Sequence, residues 1–361
     1  MLALSVLGAC GSDGDSTPAD QPASTDGPAS TDDLPEPTTG GTPSTGGDGT
    51  SGTAADPGDP MAAAPGLVPA MSFAIEDPEN VASVAMAPDG SQIAVVTQAG
   101  LGDPITITLY DSASGEVVAS TEADGIGLSI VQWMADGRLV AYADRETDPV
   151  WRSWDTATLD ELAPVALDFT CYTGIADRNT GIVYASDGIA TMGEDLCRVD
   201  TLDGSVTRTG NGVLVDPERF WLAPGSGGVA VRHYPDPSGG QELVILAGDT
   251  LAPVSNVSFA QGDVVESVGT TTWVSTFDGP DRLEPGAIPV PRSLSPEPSD
   301  AGTVFVSSNG SDDLVFVSAA DGSVIGTISA EWNPSFTSDW SLDDSAYVRI
   351  TLDGQAEIYR F

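Results

Sequence analysis

The chain has no lysine. Its 12 basic residues are all arginine and stand against 54 acidic ones, for a formal charge of −42 over 361 residues. Such a surface repels polyanions, which argues against nucleic acid or anionic lipid head groups as partners. It stays hydrated, and salt screens its self-repulsion, so a saline setting outside the cell suits it. Histidine is nearly absent, and His233 stands alone. That excludes a His-rich zinc site and any mechanism built on two imidazoles. A Ser-His-Asp triad would have to use His233, and no G-x-S-x-G elbow accompanies it. Beside Tyr234-Pro235-Asp236, His233 is expected at a surface or rim. No apolar run approaches the roughly 20 residues of a membrane-spanning helix, and no long stretch repeats at the helical period.

The N-terminus is an apolar stretch, Met1–Leu7, followed by Gly8-Ala9-Cys10. Residues 11–65 are then almost wholly Gly, Ser, Thr, Pro, Ala and Asp, with Leu34 and Met61 the only large apolar side chains. A segment of this kind buries too little surface to offset its ordering entropy, so a disordered tether is expected. As a flexible coil its ends would stand about 40 Å apart. Ten of the 54 acids fall in it, which leaves 44 against 12 Arg in the rest. The run Leu7-Gly8-Ala9-Cys10 resembles the lipobox of bacterial lipoproteins, where a signal peptide is cut before Cys and the thiol is acylated. The resemblance implies a lipid anchor on Cys10 in the cell membrane or outer membrane, outside the cytoplasm. That family also carries a positively charged segment ahead of the apolar run. It is missing here, so the true start is expected upstream.

From Leu67 onward one phrase recurs: an apolar run, a tight Asp/Gly turn and an alternating strand. It reads VAMAPDGSQIAVV at Val84–Val96, VQWMADGRLVAYA at Val131–Ala143 and DWSLDDSAYVRI at Asp339–Ile350. Its clearest strands are Gln92–Thr97, Leu139–Ala143, Ile182–Ser186, Val229–His233, Thr272–Thr276, Val304–Ser308 and Ala346–Ile350, about 42 residues apart. Units of this size cannot bury their apolar faces alone, so they must stack into one closed all-β architecture. A second phrase follows most of them: ITLYDSASGEVV at Ile107–Val118, WRSWDTATLDELAPV at Trp151–Val165, CRVDTLDGSV at Cys197–Val206 and VFVSAADGSVIG at Val315–Gly326. It reads as the third-to-fourth-strand hairpin of a four-stranded blade. The ITLYD and RSWD phrases resemble WD repeats, and the PDG turns resemble the YVTN-type repeats of bacterial propellers. The Gly-His pair of true WD repeats is absent, and the unit near Asp263–Ser293 is degenerate.

These readings give a seven-bladed β-propeller over residues 67–361, a linker over 11–66, and a signal peptide with acylated Cys over 1–10. The last unit ends after three strands, so the unpaired run Val68–Ile75 is expected to complete it and remove both open edges. Met86, Trp133 and Trp340 share one offset from the Asp turn, with Trp221 one position away, and are expected to pack between blades. Cys171 and Cys197 fall in the third unit, and a disulfide between them is expected outside the cytoplasm. Asp278, Asp281, Asp312 and Asp313 are candidate oxygen ligands for Ca²⁺, although Asp, Asn, Gly and Ser are also ordinary turn residues. No cofactor is otherwise expected. Two longer loops, Asp144–Trp151 and His233–Gly240, mark a candidate binding face through Arg145, Trp151, His233 and Tyr234.

The function these features imply is a monomeric, lipid-anchored binding or scaffolding module that is not an enzyme. One alternative is a metal-dependent propeller enzyme of the lactonase or lyase kind. That requires several inward-facing acids, and the innermost runs VASVAMA, LSIVQWMA and TGIA carry none. The other alternative is an envelope-assembly lipoprotein, which requires an exposed apolar or aromatic patch.

Overall fold

The computed structural model describes residues 64–361 apart from 101–102, 125–126, 145–149, 167–170, 188–195, 210–216, 224–227, 234–240, 259–263, 269–270, 276–281, 285, 287, 291–296, 309–312 and 330–337. The described residues form seven four-stranded antiparallel sheets. Strand β1 (Met71–Ala74) comes first and belongs to the last of them. Sheet one is β2 (Val81–Met86), β3 (Gln92–Gln98), β4 (Ile105–Asp111) and β5 (Val117–Ala123). Sheet two is β6 (Gly127–Trp133), β7 (Arg138–Asp144), β8 (Val150–Asp155) and β9 (Val165–Ala166). Sheet three is β10 (Cys171–Asp177), β11 (Ile182–Asp187), β12 (Leu196–Asp200) and β13 (Val206–Arg208). Sheet four is β14 (Pro217–Ala223), β15 (Gly228–His233), β16 (Glu242–Ala247) and β17 (Pro253–Ser258). Sheet five is β18 (Val264–Val268), β19 (Thr271–Ser275), β20 (Arg282–Glu284) and β21 (Ile288–Pro289). Sheet six is β22 (Glu297–Pro298), β23 (Val304–Ser308), β24 (Asp313–Ser318) and β25 (Val324–Ser329). Sheet seven is β26 (Ser338–Trp340), β27 (Ala346–Ile350) and β28 (Gln355–Arg360), with β1 on its outer edge.

The recurring phrases explain why each sheet folds back where it does. Between first and second strands the turn needs a residue at positive φ, and Gly90, Gly137, Gly181 and Gly302 supply it. In sheet seven Asp344 takes that position at φ 58°. After the third strand, Asp111, Asp155 and Asp200 accept backbone N–H bonds two residues on, from Ala113, Ala157 and Leu202. The hydroxyl that follows each of them donates to the first turn of its own sheet. Ser112 reaches the Gly90 carbonyl at 2.6 Å, Thr156 that of Gly137 at 2.8 Å, and Thr201 that of Gly181 at 2.7 Å. The two hairpins of a sheet are thereby tied at one end.

Apolar layers lie between successive sheets. Trp133 packs with Ala85, Ala94 and Ile107 between sheets one and two, and Met134 with Val183 and Val199 between two and three. Tyr184 meets Val229 and Val244 between three and four, and Trp273 meets Phe305 between five and six. Trp340 joins Val304 and Phe316 between six and seven, and Met86 joins Ala346, Val348 and Ile358 between seven and one. Strand β14 runs beside β18, which connects four and five. The architecture is an all-β propeller. Met86, Trp133 and Trp340 fill spaces between sheets as their shared offset implied, and the side chain of Trp221 lies outside the described residues.

Closure comes from the N-terminal segment. Met71, Ser72, Phe73 and Ala74 pair antiparallel with Ile358, Glu357, Ala356 and Gln355. Just before β1 the chain also crosses the edge of sheet six. There the Thr327 amide donates to the Pro65 carbonyl at 2.9 Å, and the Leu67 amide to the Thr327 carbonyl at 2.7 Å. Phe73 stacks near Tyr110 of sheet one, with ring centroids 5.4 Å apart. A Cβ on Gly115 would come within 2.6 Å of Phe73, and one on Gly326 within 2.5 Å of Leu67. The segment therefore touches sheets six, seven and one. Phe361 follows β28 and packs against Phe316 of sheet six and Trp340 of sheet seven, each at 5.3 Å.

Candidate functional site

The turn between β10 and β11 departs from its counterparts. Where sheets one and two carry Pro-Asp-Gly and Ala-Asp-Gly, sheet three carries Asp177-Arg178-Asn179-Thr180-Gly181. Arg178 turns inward and its side chain is 1% exposed. Its own carbonyl accepts from the Ala135 amide at 2.8 Å, which holds the turn against sheet two. Its Nε donates to the Trp133 carbonyl at 2.8 Å, and its Nη1 to the Trp340 carbonyl at 2.7 Å. Nη2 donates to the Met86 carbonyl, and Nη1 also pairs with the Asp300 carboxylate. Asp339 Oδ2 lies 3.5 Å from Nη1 and accepts the Met86 amide at 2.7 Å.

Met86, Trp133 and Trp340 are the last residues of the first strands in sheets one, two and seven. Asp300 sits in the turn between β22 and β23 of sheet six. One guanidinium from sheet three thus meets four other sheets, which is possible only where the innermost strands converge. The planar fork of arginine suits the position, because it donates in several fixed directions at once. Asp344 extends the assembly: it accepts from Ser299 Oγ at 2.6 Å, the Ala301 and Thr303 amides at 2.9 Å, and Thr303 Oγ1 at 2.7 Å. Those bonds join the turn of sheet seven to that of sheet six and offset the strain of a non-glycine residue at positive φ.

The electrostatics follow from one cation serving two carboxylates in a dry place. Burial pushes Asp300 up to about 6, helped by the nearby charges of Asp339 and Asp344 and opposed by Arg178. Burial also raises Asp339, against the pull of Arg178 and the Met86 amide. Burial alone would lower Arg178, but Asp339 and Asp300 outweigh it and hold the guanidinium charged. Two further arginines connect neighbouring sheets on the same side. Arg360 donates to the Gly90 carbonyl at 2.9 Å and to Ser112 Oγ at 2.8 Å. Arg138 reaches the Thr201 carbonyl at 3.3 Å and its hydroxyl at 3.2 Å.

Several sequence expectations change here. Trp151 and His233 are not exposed loop residues. Trp151 lies within β8, buried with Met134, Val140 and Val183, and His233 closes β15, buried opposite Glu242 with Nε2 3.6 Å from Oε2. Strand β8 begins at Val150, and β15 is buried along its whole length through His233, so neither side chain is left at a surface. Two acids reach the axis from outside the innermost runs VASVAMA, LSIVQWMA and TGIA: Asp339 comes from the short first strand of sheet seven and Asp300 from a turn. No spacing rule marks Arg178. The available signal is an arginine inside a turn whose counterparts have none.

Cys197 is fully buried in β12, opposite Ala185, and Cys171 opens β10 opposite Asp187, with its side chain outside the described residues. Strand β11 lies between them, and strands two apart are about 9–10 Å from each other. Asp313 begins β24 opposite Ser329. Cys10, Arg145, Tyr234, Asp278, Asp281 and Asp312 lie outside the described residues. Among those described, no group of three or more His, Cys, Asp or Glu is placed to hold a metal ion.

No family model matches the sequence, and no curated relative does. Solved structures do. The β-propeller domain of Cps50 (Swd1) from Myceliophteria thermophila aligns with a TM-score of 0.54 at 12% identity, over 82% of this chain and 99% of that one. Kuenenia stuttgartiensis hydrazine synthase aligns at 0.57 and 12%, over 80% and 97%. The Dos1 propeller aligns at 0.51 and 12%, over 81% and 95%. At such identities the likeness concerns the fold alone.

Proposed function

We propose that this chain is a lipid-anchored, extracytoplasmic propeller of seven blades, one per sheet, acting as a non-enzymatic binding or scaffolding module. The observation that carries the reading is the Arg178 assembly. Among the described residues, the carboxylates that reach the axis are committed to a guanidinium and to backbone amides. A ring held this way offers a rigid frame, with loops at its faces free to vary, rather than a pair of free acids for catalysis. A metal-dependent enzyme of the lactonase or lyase kind would need acids left open at one channel mouth. The location rests on the Leu7-Gly8-Ala9-Cys10 run and the polar segment behind it, which together would hold the ring at a distance from a bilayer.

Metabolic labelling with a palmitate analogue tests the anchor. In a bacterial host, the full chain is expected to take up label and fractionate with membranes. Cys10→Ser is expected to lose both. An unlabelled, soluble wild-type chain would overturn the lipoprotein reading.

A further inference from the structure

We propose that the Arg178 assembly is a proton-taking lock: on acidification one proton enters at Asp300 and tightens the ring. The argument starts from charge. Arg178 supplies one positive charge, while Asp300 and Asp339 supply two negative ones, and Asp344 adds a third from the β26–β27 turn. Among the described residues, sheets one and two present the partially negative Met86 and Trp133 carbonyls to Arg178, and one donor, the Met86 amide, to Asp339. A fully ionised assembly therefore holds excess negative charge where water screens it poorly.

Of the carboxylates, Asp300 is the most open to a proton. Burial raises Asp339 as well, but it is only 8% exposed and its Oδ2 already accepts the Met86 amide and faces Arg178. Asp344 is satisfied by four donors. Asp300 is 28% exposed, more open than Asp339 or Asp344, and uses Oδ2 for Arg178. Protonated there, it leaves Arg178 and Asp339 as a balanced pair. The surrounding carboxylates are engaged elsewhere: Asp136 with Arg138, Asp177 with Thr180, Asp89 with Ser91, and Asp343 with Ser341 and Ser345. Asp343 is held down to about 2 by those hydrogen bonds and Asp89 is lowered by Ser91, so neither changes charge near neutrality.

The sign follows from linkage. Asp300 binds its proton more tightly folded, at about 6, than unfolded, near 3.8. Folding therefore takes up a proton between those values, and stability rises as pH falls through that window. Below it the gain is complete, and above it the gain is lost.

Thermal melts of the full chain at constant ionic strength test this. From pH 7.5 to 5, wild type is expected to gain about 3–6 °C relative to Asp300→Asn, whose neutral side chain should already confer the gain at pH 7.5. Equal pH slopes for the two proteins would overturn the proposal, as would a wild type that gains on this variant with rising pH. Carboxyl ¹³C titration of the wild type is independent of whether the variant folds. At least one aspartate is expected to titrate near 6; no aspartate titrating above pH 5 would also overturn it.

Discussion

Replacing Arg178 with methionine should lower the melting temperature of the protein by about 6–20 °C. Methionine fills a similar volume but donates nothing. It leaves two carboxylates and the carbonyls of Met86, Trp133 and Trp340 facing one another across a dry axis. Breaking a buried ion pair on one side costs about 3–5 kcal/mol, chiefly because the remaining charge has no partner. In a domain of this size each kcal/mol is worth about 2–4 °C. Arg178→Lys should fall between, since an ammonium restores the charge but cannot span five sheets. Pairing Arg178→Met with Asp339→Asn should cost less than the sum of the two, because one charge no longer strands another. Differential scanning calorimetry reads all three. A methionine variant that melts within about 2 °C of wild type would show that the assembly contributes little to closure.

Deleting residues 64–75 should abolish the cooperative melt. The deletion exposes the whole edge of β28 and removes the backbone bonds to Thr327 of sheet six. It also empties the spaces beside Gly326 and Gly115 that Leu67 and Phe73 occupy. An open ring loses more than one strand, because each sheet buries its faces only against its neighbours. A synthetic peptide of residues 64–75 added in trans should restore part of the transition in a concentration-dependent way. A deletion variant with an unchanged melt would place closure elsewhere.

Much of this fold is legible in the sequence because its information is local. The Asp-Gly turn between first and second strands, and the Asp-Ser or Asp-Thr pair after the third, fix hairpins within some twenty residues. Gln92–Thr97 was expected and Gln92–Gln98 is found; Ile182–Ser186 was expected and Ile182–Asp187 is found. The degenerate unit near Asp263–Ser293 gives the thin strands β20 and β21, of three and two residues. The closing strand was also visible, because an unpaired alternating run and a three-stranded last unit imply each other.

The axis was not legible, and the reason is sequence distance. Met86, Trp133, Arg178, Asp300 and Asp339 meet from five turns or strand ends spread over more than 250 residues. Alternation says which side chains face a neighbouring sheet, but it does not say which turn residue folds back over the channel. Arg178 reads as one more polar residue in a turn. The same limit misplaced Trp151 and His233. Both stand near strand ends, where a neighbouring sheet, not the local pattern, decides whether a side chain is covered.

The claim at the centre is that the acids at the axis serve an arginine rather than a metal. A melt of the full chain with and without EDTA, and across Ca²⁺, Mn²⁺ and Zn²⁺, tests it most directly. The account predicts curves that coincide within about 1 °C, whereas an ion held at 100 times its Kd would add about 2.7 kcal/mol and several degrees. A transition that EDTA lowers by several degrees and one cation restores would contradict it, and would put the metal-dependent enzyme in its place.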